Sequence, residues 1–139
     1  MEENNKKVTD IKVDLFAICE GAYNHSGHLT IVSTHDDFIV SAVPTRVSFG
    51  LAFKFFIKPD VEGTKKLTIS IQDDQGADVI EPCICANLEI IKMNHPSHIA
   101  MAINLQNVLF TKFGQYDVHM EIDGKKLDNF AFEVRNGQN

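Results

Sequence analysis

Tryptophan is absent from this chain, tyrosine occurs twice, cysteine three times and proline four times in 139 residues. Without tryptophan, Tyr23 and Tyr116 are the only tyrosine or tryptophan platforms for stacking a sugar, so a carbohydrate-binding sandwich has little to stand on. Cys19, Cys83 and Cys85 are an odd number, and two of them lie two residues apart, which is not a disulfide framework. Met1 to Asp10 is polar and mixed in charge, with no apolar leader, and no run approaches the roughly 18 apolar residues of a spanning helix. These absences point to a reduced, cytoplasmic protein. Positive charge is also scarce: 13 Lys and Arg stand against 19 Asp and Glu, a formal charge of −6. Such a surface is a poor match for phosphate backbones and anionic lipid, so neither nucleic acid nor a membrane is expected as a partner. Amphipathic helices are missing too.

What is present is alternation. Val47, Phe49, Leu51, Phe53, Phe55 and Ile57 are apolar at strict spacing two, a pattern that a helix would smear around its cylinder. Ile11 to Cys19 alternates as well, but its second face carries Phe16 and Ile18. Shorter alternating runs centre on Ile69, Leu88, Met101, Val118 and Phe132. Leu29 to Val32 forms a further β-prone segment, expected to continue near Phe38-Ile39-Val40. Turn chemistry separates the runs at Lys58-Pro59-Asp60, Asp73-Asp74-Gln75-Gly76 and Asn94-His95-Pro96, each expected to join antiparallel neighbours. Asp123-Gly124 predicts a tight hairpin of the primed type. About eight strands and no linker predict one all-β domain, an antiparallel β-sandwich of immunoglobulin-like layout, with a closed or partly open β-barrel as the alternative. The domain is expected over 8–135, flanked by frayed tails at 1–7 and 136–139.

Two blocks carry a resemblance. Phe16-Ala17-Ile18-Cys19-Glu20-Gly21-Ala22 is followed by Gly27-His28-Leu29-Thr30-Ile31-Val32. Later, Leu105-Gln106-Asn107-Val108-Leu109-Phe110 is followed by Phe113-Gly114-Gln115-Tyr116 and the hairpin around Asp123-Gly124. In order and spacing the chain resembles a group of short bacterial proteins known only as a domain of unknown function. The group has a glycine in the strand after the Leu-x-Ile step, where this chain has Ser33. The resemblance implies an all-β sandwich and assigns no catalytic residue.

Candidate chemistry is confined to a few clusters. His25 and His28, with His35, Asp36 and Asp37, offer imidazoles and carboxylates for a metal ion, so a small metal-binding protein or metal-dependent enzyme is the alternative to a module without chemistry. His95 and His98 form a second histidine pair in an expected turn. Cys83 and Cys85 share one strand face, which suits a thiolate pair, although burial as core or interface filler is the simpler expectation. Neither Ser26-Gly27 nor Ser48-Phe49-Gly50 sits at a strand-to-helix elbow. The carboxylates around Gly76 lack the closing glutamate of a calcium loop, since Ile84 stands there. No catalytic residue and no cofactor is therefore assigned. The reading that remains is a non-catalytic module binding a protein partner or itself as a homodimer or small oligomer, with Phe16, Ile18 and Phe56 as interface candidates.

Overall fold

The computed structural model describes residues 8–137. The expected tail at 1–7 and the last two residues lie outside the described residues. Nine strands follow one another: β1 (Ile11–His25), β2 (His28–His35), β3 (Phe38–Val40), β4 (Thr45–Ile57), β5 (Gly63–Asp73), β6 (Ile84–Ile90), β7 (Ser97–Phe110), β8 (Gly114–Ile122) and β9 (Lys125–Asn136). They form a four-stranded sheet in the order β2-β1-β4-β7 and a five-stranded sheet in the order β3-β9-β8-β5-β6. The two sheets have separate ends, so the molecule is an immunoglobulin-like sandwich and not a closed barrel. β9 runs one residue into the expected C-terminal tail, and the Gly137 amide donates to the Val40 carbonyl.

Burial explains the pairing. One face of β4 carries Phe49, Leu51, Phe53, Phe55 and Ile57, all at most 1% exposed. An aromatic column of Phe38, Phe49, Phe110, Tyr116 and Phe132 fills one end of the core, with neighbouring ring centroids 5.0–6.5 Å apart. Phe38 also corrects the sequence reading. The segment Phe38–Val40 does not prolong β2 but crosses to the other sheet, where it pairs parallel to β9 and buries Phe38. Two of the three expected hairpin connections are likewise crossings: β4 to β5 and β6 to β7 each pass from one sheet to the other. Gly114-x-Tyr116 opens β8, and the buried Tyr116 hydroxyl donates back to the Lys112 carbonyl at 2.7 Å. This is the tyrosine corner that such sandwiches use to fix a strand entry.

Tight turns fall where residues in the left-handed region stand in pairs. Asp123 and Gly124, with φ of 51° and 80°, make the expected hairpin between β8 and β9, and Ser26 and Gly27 repeat it between β1 and β2. A β-bulge at Val13/Leu15 shifts the register of β1 on β4, with Val13 opposite Phe55 and Leu15 opposite Lys54. One extra residue reverses the alternation. Phe16 and Ile18, on the second face by simple period two, therefore point into the sandwich.

Beyond Cys19, β1 leaves β4 and pairs with β2 alone. The β1–β2 hairpin then lies across the outer face of β4 and β7, where Cys19, Ala22, Ala52, Leu29, Ile31 and Ala102 form a small second apolar cluster. The Asn104 side chain, on β7, accepts from the Ala22 amide at 3.1 Å and donates to its carbonyl at 2.9 Å, spanning Gly50 between them. A Cβ on Gly50 would stand 2.8 Å from that Asn104 oxygen and 3.3 Å from the Ala22 backbone nitrogen, so only glycine fits. Asn24 adds a third tie, donating to the Ala100 carbonyl at 2.8 Å.

Ser33, which replaces the glycine of the resembling group, has φ of 52°. A Cβ in that region costs roughly 1–2 kcal/mol, partly offset by the about 0.5–1 kcal/mol that glycine loses in chain entropy. Ser33→Gly should therefore raise stability, by up to about 1 kcal/mol, in urea unfolding; a loss would show that the Ser33 side chain holds the bend. Phe53→Ala should cost roughly 3–5 kcal/mol, and a midpoint close to the parent's would mean that Phe53 contributes little to the core.

Candidate functional site

The five metal-ligand candidates do not converge. His25 and His28 face each other across the exposed tip of the β1–β2 hairpin, whereas His35 is the last residue of β2 and Asp36 and Asp37 follow it. Seven residue steps along β2, bent at Ser33, set His28 and His35 apart by up to roughly 23 Å. Asp37 is already engaged, accepting from the Glu133 amide at 3.1 Å and standing 3.4 Å from the Arg135 guanidinium, which fastens the approach to β3 against β9. The His35 ring packs on Phe38 at 5.4 Å. Among the described residues no three His, Cys, Asp or Glu side chains gather as a metal site.

The interface candidates are placed differently again. Ile18 is 6% exposed within the core, and Phe16 stacks flat on Phe130 of the opposite sheet at 4.0 Å. Both close the sandwich rather than open it to a partner, and the bulge in β1 is the reason. Phe56 does lie on the outer face, half-buried, flanked by the Lys12 ammonium at 5.0 Å and the His98 ring at 5.5 Å. Asp14 completes that cluster, 3.7 Å from His98. β1 is flanked on both sides only at Ile18 and Cys19; among the described residues its first half, Ile11–Ala17, pairs with β4 alone, and the open side of that half is interrupted by the bulge and carries Lys12 and Asp14. Of the two tyrosines, Tyr116 is buried and Tyr23 is exposed.

Two further groupings stand out. Cys83 and Cys85, which their spacing sets on one strand face, are both exposed rather than buried as filler, with their sulfurs 3.9 Å apart. The second, which the sequence does not show, is an ionic knot at one end of the sandwich. Asp73 accepts from the amides of Gln75 and Ala77, both at 2.9 Å, and Lys112 reaches Asp73 at 3.4 Å and Asp74 at 3.1 Å. Because the Lys112 carbonyl also receives the Tyr116 hydroxyl, this knot ties the β5 turn to the tyrosine corner. The Ala77 amide above all, then the Gln75 amide and the Lys112 ammonium, hold the Asp73 carboxyl below its ordinary range. Asp74 and Asp73 in turn raise Lys112.

Concavities are shallow. A cleft of about 550 Å³ runs beside the Phe16–Phe130 stack and is rimmed by Thr34, His35 and Asp36. Another, of about 590 Å³, lies between Ile11, Val61 and Ile122, with Asp10, Lys65 and Lys125 around it. Neither presents a nucleophile paired with a base, and among the described residues the Tyr116 hydroxyl, bonded to the Lys112 carbonyl, and the Cys19 thiol are the polar groups carried by buried side chains.

Fold and surface together define an immunoglobulin-like β-sandwich whose distinguishing features lie at its edges and turns. The chain belongs to the family of unknown function DUF6941, whose model matches residues 14–135. No curated protein matches the sequence. Among solved structures, the C-terminal domain of wzt superposes with a TM-score of 0.51 at 10% identity, covering 93% of this chain and 75% of that one. An immunoglobulin-like protein from Pseudomonas aeruginosa, PA1606, gives 0.42 at 12% identity, covering 91% and 98%. The alkylpurine DNA glycosylase AlkC of Pseudomonas fluorescens gives 0.49 at 11% identity, with 91% of this chain spanning 30% of the enzyme. At these identities the likeness is one of fold.

The ionic knot has a pH signature. A carboxyl lowered in the folded state contributes stability that is fully present above its unfolded value, about 3.9, and lost as pH falls through the folded value. Asp73→Asn should melt earlier than the parent at neutral pH, and the difference should shrink once the pH drops below the ordinary carboxylate range. Thermal melts from neutral to acid pH check this; a difference independent of pH would remove the Asp73 charge from the account.

Proposed function

We propose that this domain is a non-catalytic interaction module of the cytoplasm and that it associates with a second copy of itself through β7. The observation that carries this reading is the composition of that strand. Ser97–Phe110 runs 14 residues along the end of the four-stranded sheet, paired among the described residues only with β4, interrupted by one bulge at Gln106-Asn107, and contains no Lys, Arg, Asp, Glu or Pro. Charges and prolines are the usual protection of an open edge, and an edge without them is a template for a further strand.

The other edges are less suited. β3 is three residues long, β2 has only five residues before the left-handed Ser33 against nine on β7 before its bulge, β6 is seven residues long and carries Glu89, and the open half of β1 carries Lys12, Asp14 and a bulge. Burial points the same way. Ile99, Met101, Ile103 and Leu105 face the core from β7 but stay half-buried, whereas their neighbours on β4 are sealed. A strand laid along β7 would finish covering them. A second copy suits this edge because antiparallel pairing of two identical uncharged strands brings no like charges together, in a chain whose net charge is otherwise −6. The resulting contact is isologous and closes as a dimer. Cytoplasmic residence is supported by the three free cysteines, two of them exposed.

Sedimentation and light scattering of the parent across micromolar concentrations should give a dimer that dissociates on dilution. The double variant Gln106→Lys with Leu109→Lys, at two exposed positions of β7, should be monomeric with a near-parental melting profile. A parent that stays monomeric, or a variant that still dimerises, would remove β7 as the contact.

A further inference from the structure

We propose that Cys83 and Cys85 form an exposed dithiolate clamp for a soft, thiophilic metal ion of the Zn(II) or Cu(I) class. Cys83 immediately precedes β6 and Cys85 is its second residue, so the two side chains leave the same face of the end strand of the five-stranded sheet. Ile84, between them, turns to the other face and packs against the core. The pair is thus fixed by the sheet: Cys85 sits opposite Thr68 and Ile84 opposite Ile69 in the ladder with β5. The sulfurs stand 3.9 Å apart. Two thiolates on one edge of a tetrahedron around an ion with metal–sulfur bonds of about 2.3 Å lie about 3.8 Å apart. The two cysteines already hold the spacing of two bound ligands.

The same geometry opposes the obvious rival, a redox disulfide. Two residues of extended chain place the Cα atoms about 6.6–6.8 Å apart, at the far limit for a disulfide, and the sulfurs would have to close to about 2.05 Å. Uptake exchanges two S–H bonds for two S–metal bonds and releases two protons to solvent, with no electron transferred. Soft thiolates select such ions over Mg(II) or Ca(II). Among the described residues no third protein ligand joins the pair, so the remaining positions are open to exogenous ligands. An ion held in this way is accessible for transfer.

The test uses the full chain, reduced and kept anaerobic, with Cd(II) as a spectroscopic probe and Zn(II) in competition with a chromophoric chelator. The parent should bind one Cd(II) per chain with a thiolate-to-metal charge-transfer band, and Zn(II) should compete for it. Cys83→Ser and Cys85→Ser should each lower the association constant on the order of 100-fold or more, because the second sulfur no longer acts at high effective concentration. Both positions are exposed, so both variants should fold. Cys19→Ala, which alters the thiol buried under the β1–β2 hairpin, should leave the band unchanged. No retention of either ion by the parent, or equal affinity in the Cys83→Ser/Cys85→Ser double variant, would overturn the proposal.

Discussion

The arrangement depends on the central strand β4 being buried on both faces by different means. Its inner face is large and aromatic and meets the second sheet. Where the β1–β2 hairpin crosses it, its outer face is reduced to Gly50 and Ala52, with Ala102 beside them on β7, so that the hairpin can lie against it. Backbone brought so close to a sheet face must satisfy its own polar groups. Asn104 does this for Ala22, its amide serving both the N–H and the carbonyl as a short piece of strand would.

Period two made the strands legible, and it did so best where the register is unbroken. β4, β5 and β8 bury the residues that their alternation selects. It failed at β1, because a β-bulge adds one residue without changing composition, and every later side chain changes face. Phe16 and Ile18 were assigned to the surface for that reason alone. Turn residues showed where strands end but not which sheet the next one joins. Asp123-Gly124 could be read because a two-residue loop permits only adjacent pairing, whereas Pro59 and Pro96 occur in loops long enough to cross between sheets. Phe38 illustrates the same limit: a three-residue strand has no period to read, and its placement is set by a core that forms from distant parts of the chain.

The candidate site was less legible than the fold. Ligand types can be counted in a sequence, but convergence is a property of topology, and β2 holds its two histidine-bearing ends apart. Asp37 was attractive as a ligand because it is acidic and close to His35; the structure uses it as a clasp on β9. The cysteine pair suffered the opposite error. Local alternation had correctly set Cys83 and Cys85 on the face opposite Ile84, but the general tendency of free cysteine toward burial was given more weight than the pattern. Ser33 shows a sequence departure with a direct physical meaning, since the position that carries glycine in the resembling group is one where φ is positive.

A sandwich of this kind is a scaffold on which unrelated activities are mounted, so likeness of fold leaves the chemistry to be argued from the surface. Among the described residues the buried side chains are apolar apart from the Tyr116 hydroxyl and the Cys19 thiol, and the polar ties described serve turns, crossings and the hairpin contact. What sets this chain apart from a bare scaffold lies on one flank, where β6 and β7 end their respective sheets and Ile84 and Leu105 line a common depression. One of these strands presents a long uncharged edge, the other a pair of touching thiols. The two features use different groups, main chain in one case and sulfur in the other. Lysines placed on β7 leave both sulfurs in place, and serines at 83 and 85 leave the β7 edge intact, so association and metal capture can be separated by substitution. Their proximity on the flank gives a dimer through β7 a further consequence: it would bring two copies of the β6 edge toward the same side of the assembly.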